Sequence, residues 1–207
     1  MTTEIDHSSA RARLLEELRE HALVIGEVVL TSGARAQYLV DAKRAILLPA
    51  GFRALADLVA EQARAWGATA VGGMTMGADP IACAALAGGA DVKAFFVRKE
   101  VNEHGLARRI EGPLLDSGDR CMLVEDVVTT GGSTIRALEA LQAEGLEVCG
   151  VLAICDRLAG GAERIEQAAG APYLALTTID EVYPDHGESG NQPADSLGSS
   201  PGGELPV

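Results

Sequence analysis

What this chain lacks narrows it first. Basic charge is scarce: 17 lysines and arginines stand against 30 aspartates and glutamates, a formal net charge of −13. That balance excludes nonspecific attraction to nucleic acid or to an anionic membrane, while a small anionic substrate held by local groups stays open. No apolar run reaches the roughly 18 residues that a bilayer-spanning helix needs. The start, Met1-Thr2-Thr3-Glu4-Ile5-Asp6, has none of the basic residues that open a signal peptide. A cytoplasmic protein is expected. Cysteine is sparse too: Cys83, Cys121, Cys149 and Cys155 show no Cys-x-x-Cys spacing, so small buried thiols are expected rather than a zinc site or disulfide framework. Neither Gly-x-x-x-x-Gly-Lys-Ser/Thr nor Gly-x-Gly-x-x-Gly occurs, which removes the Walker A and dinucleotide-binding loops. What remains is 207 residues with 47% hydrophobic content, enough for one domain with a real core and an appendage.

The informative stretch is Cys121 to Thr134, Cys-Met-Leu-Val-Glu-Asp-Val-Val-Thr-Thr-Gly-Gly-Ser-Thr. Cys121 to Val124 is an apolar run of the kind that forms a buried parallel strand, and it stops at two adjacent carboxylates, Glu125 and Asp126. Thr129, Thr130, Gly131 and Gly132 then make a small polar turn, after which Ile135, Leu138 and Leu141 recur at helical spacing. Strand, loop and helix in this order aim the first helical amides at one spot. With the threonine and Ser133 hydroxyls they can bind a phosphate without any lysine. The acids repel a phosphate and must face another part of the same ligand, for which ribose hydroxyls are suited. One sugar phosphate is therefore expected, its 5′-phosphate in the 129–134 bend and its 2′ and 3′ hydroxyls near Glu125 and Asp126, directly or through a divalent cation. The plainer reading is a glycine-rich turn preceded by acids of no function.

Along the chain, residues 8 to 24 read as an amphipathic helix with Leu14, Leu15, Leu18 and Ala22 on one stripe. Val28 to Leu30 and Ala36 to Val40 suggest two strands joined by a turn, forming a small separate layer. Phe52 to Ala63 is helical, and Thr69 to Gly72 is the first buried strand. A permissive loop, 72–78, follows as a second candidate anion site, with Asp79 as N-cap and Pro80 opening a helix. Strand Val92 to Val97 runs into Arg98-Lys99-Glu100-Val101-Asn102-Glu103-His104-Gly105-Leu106-Ala107-Arg108-Arg109. Four of the 17 basic residues fall in those twelve positions without periodicity, as in a long loop that closes over a ligand. Glu147 to Cys155 is another strand, with Asp156 and Arg157 at its C-terminal end, followed by a helix over 160–169 and a strand from Tyr173 to Leu176. Alternating strands and helices mean an α/β fold whose ligands bind beyond the strand C-termini. From Pro184 onward Gly, Ser, Pro and acids dominate, so 184–207 reads as a disordered tail.

The apolar strand, Glu125-Asp126, Val127-Val128 and Thr129-Thr130-Gly131-Gly132-Ser133 together resemble the phosphoribosyl pyrophosphate (PRPP) signature of type I phosphoribosyltransferases. Over residues 12 to about 180 the chain resembles the bacterial orotate phosphoribosyltransferases as well. The further matches are Ser32-Gly33 followed by Tyr38 and Asp41, Arg98-Lys99-Glu100 with His104-Gly105, and Asp156-Arg157. The resemblance implies a parallel sheet flanked by helices within a domain over 1–183, with a small N-terminal hood from about 1–50. It implies transfer of the phosphoribosyl group of PRPP to orotate in pyrimidine (UMP) synthesis, with Mg²⁺ bridging pyrophosphate and ribose oxygens. A homodimer is implied, the 98–111 loop acting in the neighbouring subunit's site.

By the same resemblance Glu125, Asp126, Val127, Val128, Thr129, Thr130, Gly131, Gly132 and Ser133 bind PRPP. Arg98, Lys99 and His104 would meet the pyrophosphate, and Asp126, Lys99 and His104 are the catalytic candidates. Arg157 would bind the orotate carboxylate, its bland alternative being an ion pair with Asp156. Tyr38 would stack on the pyrimidine, its alternative being a half-buried strand residue. The commonest pattern of the resembled family has lysine where Thr31, Met76 and Asn102 stand. Asn102 leaves two other readings: another nucleobase transferase, or a regulatory protein that binds PRPP without catalysis.

Overall fold

Leu14, Leu18 and Ala22 are fully buried along one stripe of helix α1 (His7–Glu17) and the wider π-helical turn, Leu18–Ala22, that continues it. The computed structural model describes residues 7–29, 35–100 and 109–186. Thr31, Ser32, Gly33, Asn102, His104, Arg108 and residues 187–207 lie outside the described residues, but 184–186, expected to open the disordered tail, form a turn in which His186 bonds Asp180. Strands β1 (Leu23–Val29) and β2 (Arg35–Val40) pair antiparallel as a sheet of their own, the expected hood. A short helix, α2 (Lys43–Ile46), leads into α3 (Pro49–Ala65), whose first turn takes a proline because the missing N–H has no helical partner there.

The main sheet is built from β3 (Ala70–Met74), then, after α4 (Asp79–Ala87), β4 (Lys93–Val97), the two-residue β5 (Ile110–Glu111) and β6 (Arg120–Val128). Helix α5 (Gly132–Ala143), β7 (Glu147–Asp156), α6 (Gly161–Ala169), β8 (Tyr173–Thr178) and α7 (Ile179–Val182) complete it. Strand order is β5-β4-β3-β6-β7-β8. Five of these strands run parallel, as expected, but β5 pairs antiparallel with β4 at the edge, so the sheet is mixed rather than purely parallel. Two residues are too few to carry a period-2 signal, which is why β5 was not legible.

Side chains alternate across the central strands. Met122, Val124, Leu152 and Ile154 pack with Leu14, Leu55 and Ile81 on one face, while Cys121, Leu123, Val151 and Ala153 pack with Leu138, Leu141 and Ile165 on the other. All four cysteines are free, Cys83 exposed and the other three buried; burial pushes the Cys121 thiol up to about 12. Asp79 is the first residue of α4 rather than its N-cap, a position held by Ala78, and burial raises its carboxyl above the usual range. Among the described residues no helix is long and apolar enough to cross a membrane.

Candidate functional site

The groups below gather around the C-terminal end of β6, where the parallel strands deliver their loops to one edge. Glu125 is 5% exposed. Ser133 Oγ donates to its Oε2 at 2.5 Å and Thr134 Oγ1 at 3.0 Å, so the carboxylate straps the strand tip to the first turn of α5. Burial raises its pKa to about 7; the Ser133 bond opposes that rise and the neighbouring Asp126 charge adds to it. The sequence placed Glu125 on the sugar and the Ser133 hydroxyl on the phosphate, whereas the structure joins these two side chains to each other.

Asp126 is the more open acid. Its Oδ1 accepts from the Val127 amide at 2.9 Å, and Lys43 Nζ of α2 stands 2.8 Å from its Oδ2. Lys43 is also 2.9 Å from Asp41. Burial lowers the Lys43 pKa, but its bonds to Asp126 and Asp41 outweigh this and the net direction is up. Sequence reasoning missed Lys43, because nothing local marks a lysine whose partner is 83 positions away. From the other side the 72–78 loop presses on the same acid: a Cβ on Gly77 would lie 2.5 Å from Asp126 Oδ1, so only glycine fits. The second candidate anion loop thus borders Asp126 directly.

The bend itself rests on α6. Gly131 has φ 76 at the N-cap of α5, and a Cβ there would meet Ile165 Cγ1 at 2.9 Å. A Cβ on Gly161 would meet the Thr129 carbonyl oxygen at 2.6 Å, and Arg164 Nη1 donates to the Thr130 carbonyl at 2.7 Å. The first amides of α5 have no acceptor within their helix and face the bend with the positive end of its dipole, as an anion site requires.

Arg157 joins this group from β7, its amide donating to the Val128 carbonyl at 2.8 Å. Asp156 is not its partner. That carboxylate accepts from the Leu158 amide at 2.7 Å and the Tyr173 hydroxyl at 2.9 Å, and the first of these bonds closes a turn that fixes the loop carrying Arg157. Instead the guanidinium lies over the half-buried Tyr38 ring, 4.9 Å from its centroid, and its Nε is buried without a hydrogen-bond partner. A buried orphan donor on a cation calls for an anionic acceptor.

The structure therefore brings together Tyr38, Glu125, Asp126, Val127, Val128, the bend and Arg157, with Lys43 added. Arg98 is placed differently. Its amide donates to the Arg109 carbonyl at 2.8 Å and its guanidinium stands 3.4 Å from Glu111, which pins the base of the 98–109 arm. Lys99 is exposed beside it.

The family model for the phosphoribosyl transferase domain matches residues 48–170. The orotate phosphoribosyltransferase of Corynebacterium glutamicum is 44% identical over 183 residues, covering 88% of this chain and 98% of its own length. The orotate phosphoribosyltransferase of Mycobacterium tuberculosis, solved with Fe(III) dicitrate, aligns with a TM-score of 0.75 at 39% identity, covering 84% of this chain and 99% of its own. The same enzyme solved in complex with PRPP gives 0.71 at 36% identity over 84% of this chain and 98% of its own.

Proposed function

Because the chain belongs to the phosphoribosyl transferase domain family, and within it to the orotate phosphoribosyltransferases, we propose a division of labour among the groups at the end of β6. The reaction joins N1 of orotate to C1′ of PRPP and releases pyrophosphate, giving orotidine 5′-monophosphate. The bend from Thr129 to Ser133 and the N-terminus of α5 take the 5′-phosphate. Asp126 takes the ribose hydroxyls, with Glu125 behind it as the strap that sets the bend, and Val127 and Val128 contribute backbone.

Displacement at C1′ builds positive charge on the ribose and negative charge on the leaving pyrophosphate, so fixed charges do most of the catalytic work. The Asp126 carboxylate serves the ribose, and Lys99 and His104 of the arm serve the pyrophosphate, with Arg98 at the arm's base. Lys43 balances Asp126. Among the described residues no three His, Cys, Asp or Glu side chains converge as a metal cage, and the better exposed acid already holds a lysine. That donor set suits a magnesium ion carried mainly by the oxygens of PRPP. Bound so, it would neutralise charge on the pyrophosphate.

The arm springs from β4 and β5 at the sheet edge, with β3 between it and β6. This supports its acting in a neighbouring subunit, which makes the homodimer the working unit. Arg11 of α1 and Arg19 of the π-helical turn both bond Glu181 of α7, so one phosphoribosyltransferase domain takes in both ends of the described chain.

The orphaned Arg157 Nε is the observation that favours orotate over a base without a carboxylate. Removing a charge-assisted, partly buried contact costs about 1.5–3 kcal/mol, so Arg157→Ala is expected to raise KM for orotate by roughly 10- to 100-fold and leave KM for PRPP unchanged. Steady-state kinetics with each substrate varied in turn checks this. An unaltered KM for orotate in Arg157→Ala would take Arg157 out of the orotate site.

A further inference from the structure

Tyr38 sits on the two-stranded hood. The hood sheet has only two strands, with an irregular register between Ile25 and Val28, and a lone hairpin is marginally stable in water. A ring that must keep its place against Arg157 needs a brace from elsewhere. The segment after β8 supplies one. Tyr183 meets the Tyr38 ring edge-on, with centroids 5.4 Å apart and planes at 78°. His186 closes the cluster 6.1 Å from Tyr38 and 6.5 Å from Tyr183. These separations are those at which aromatic pairs attract through edge and face.

The brace is itself tied down. Thr178 and Glu181 form a reciprocal capping box at the start of α7, and Ile179 and Val182 are buried. Arg11 holds the Glu181 carboxylate at 2.6 Å, and Arg19 donates to the Glu181 carbonyl at 2.8 Å. His186 Nε2 lies 2.7 Å from Asp180 Oδ1, and the Tyr183 amide donates to the Ile179 carbonyl at 2.7 Å. The C-terminal turn thus links the N-terminal helix and the core to one ring of the hood.

We infer that Tyr183 and His186 are positioning residues of the nucleobase site, fixing Tyr38 against Arg157 so that the pocket selects a planar, carboxylate-bearing base. This rests on the assignment of Arg157 and Tyr38 to orotate. Besides each other, both residues meet the ring of Tyr38 in the hood, away from the phosphate bend, so the brace serves one substrate and not the other.

The test is steady-state kinetics with orotate and PRPP varied separately in Tyr183→Ala, His186→Ala, Tyr183→Phe and Arg157→Ala, with PRPP binding followed by calorimetry in each. Loss of an aromatic pair corresponds to up to about tenfold, so KM for orotate should rise by roughly that factor in both alanine variants. KM for PRPP should stay within about twofold, and Tyr183→Phe should restore orotate use because the ring remains. Unchanged KM for orotate in the alanine variants, or a parallel rise in both KM values, overturns the inference. If Tyr183→Ala does not fold, His186→Ala decides, since that side chain is 27% exposed and lies outside the core. Arg157→Ala separates the two layers: an unchanged KM for orotate there removes the assignment of Arg157 to the orotate carboxylate. A raised value there with none in the alanine variants removes only the brace.

Discussion

Glu125 is a carboxylate that the fold keeps away from water. Its pKa is raised from 4.5 to about 7 by burial, with Asp126 adding to the rise. Between those values the native state binds a proton that the unfolded chain has released. Stability from this group is therefore fully present below the unfolded pKa and is lost as pH rises through about 7, an effect of about 3 kcal/mol. Urea midpoints measured from about pH 4.5 to about pH 8 should fall more steeply for the wild type than for Glu125→Gln. Parallel curves would show that Glu125 ionises as an ordinary surface acid. The pair Glu125-Asp126 was legible because two acids at the end of an apolar strand have no packing reason to be there. Their partners were less so: that Ser133 and Thr134 bind Glu125 depends on how the first turn of α5 folds back. Lys43 reaches Asp126 only through the placement of the whole hood. For Arg157 the sequence left orotate and Asp156 in competition, and the structure removes the second by giving Asp156 to Leu158 and Tyr173.

At the scale of elements, the 129–133 bend is held by α6 as much as by its own glycines. Gly131→Ala would place a Cβ 2.9 Å from Ile165 on a backbone with φ 76. The strain costs about 1 kcal/mol, and a shifted bend should weaken PRPP binding by roughly tenfold. A thermal melt and calorimetric titration with PRPP read these together; unaltered PRPP affinity would mean that the bend does not hold the phosphate. The parallel strands and the helices between them announced themselves by apolar runs and helical spacing. The four-residue helices α2 and α7 and the edge strand β5 are too short to do so. The seating of the bend on Gly161 and Arg164 had no local signature, since close approach between distant backbones is written in neither stretch alone.

For the whole molecule, the proposed site draws on the sheet for its phosphate and ribose contacts and on the hood for Tyr38 and Lys43. An arm at the sheet edge is assigned to the neighbouring subunit. Mixing Asp126→Asn with His104→Ala protein, each inactive alone, should restore about a quarter of wild-type activity. Random pairing makes about half the dimers mixed, and each mixed dimer has one intact site. No recovery would place the arm in its own subunit's site. Asn102, where the resembled family commonly has lysine, makes turnover itself the decisive observation. The measurement is orotate absorbance followed after mixing the protein with PRPP and Mg²⁺, repeated with uracil, adenine and hypoxanthine as the base. A PRPP-dependent fall with orotate, and no product with the other three, is the expected result. A flat orotate trace from protein that still binds PRPP, or turnover of another base in its place, would contradict the assignment.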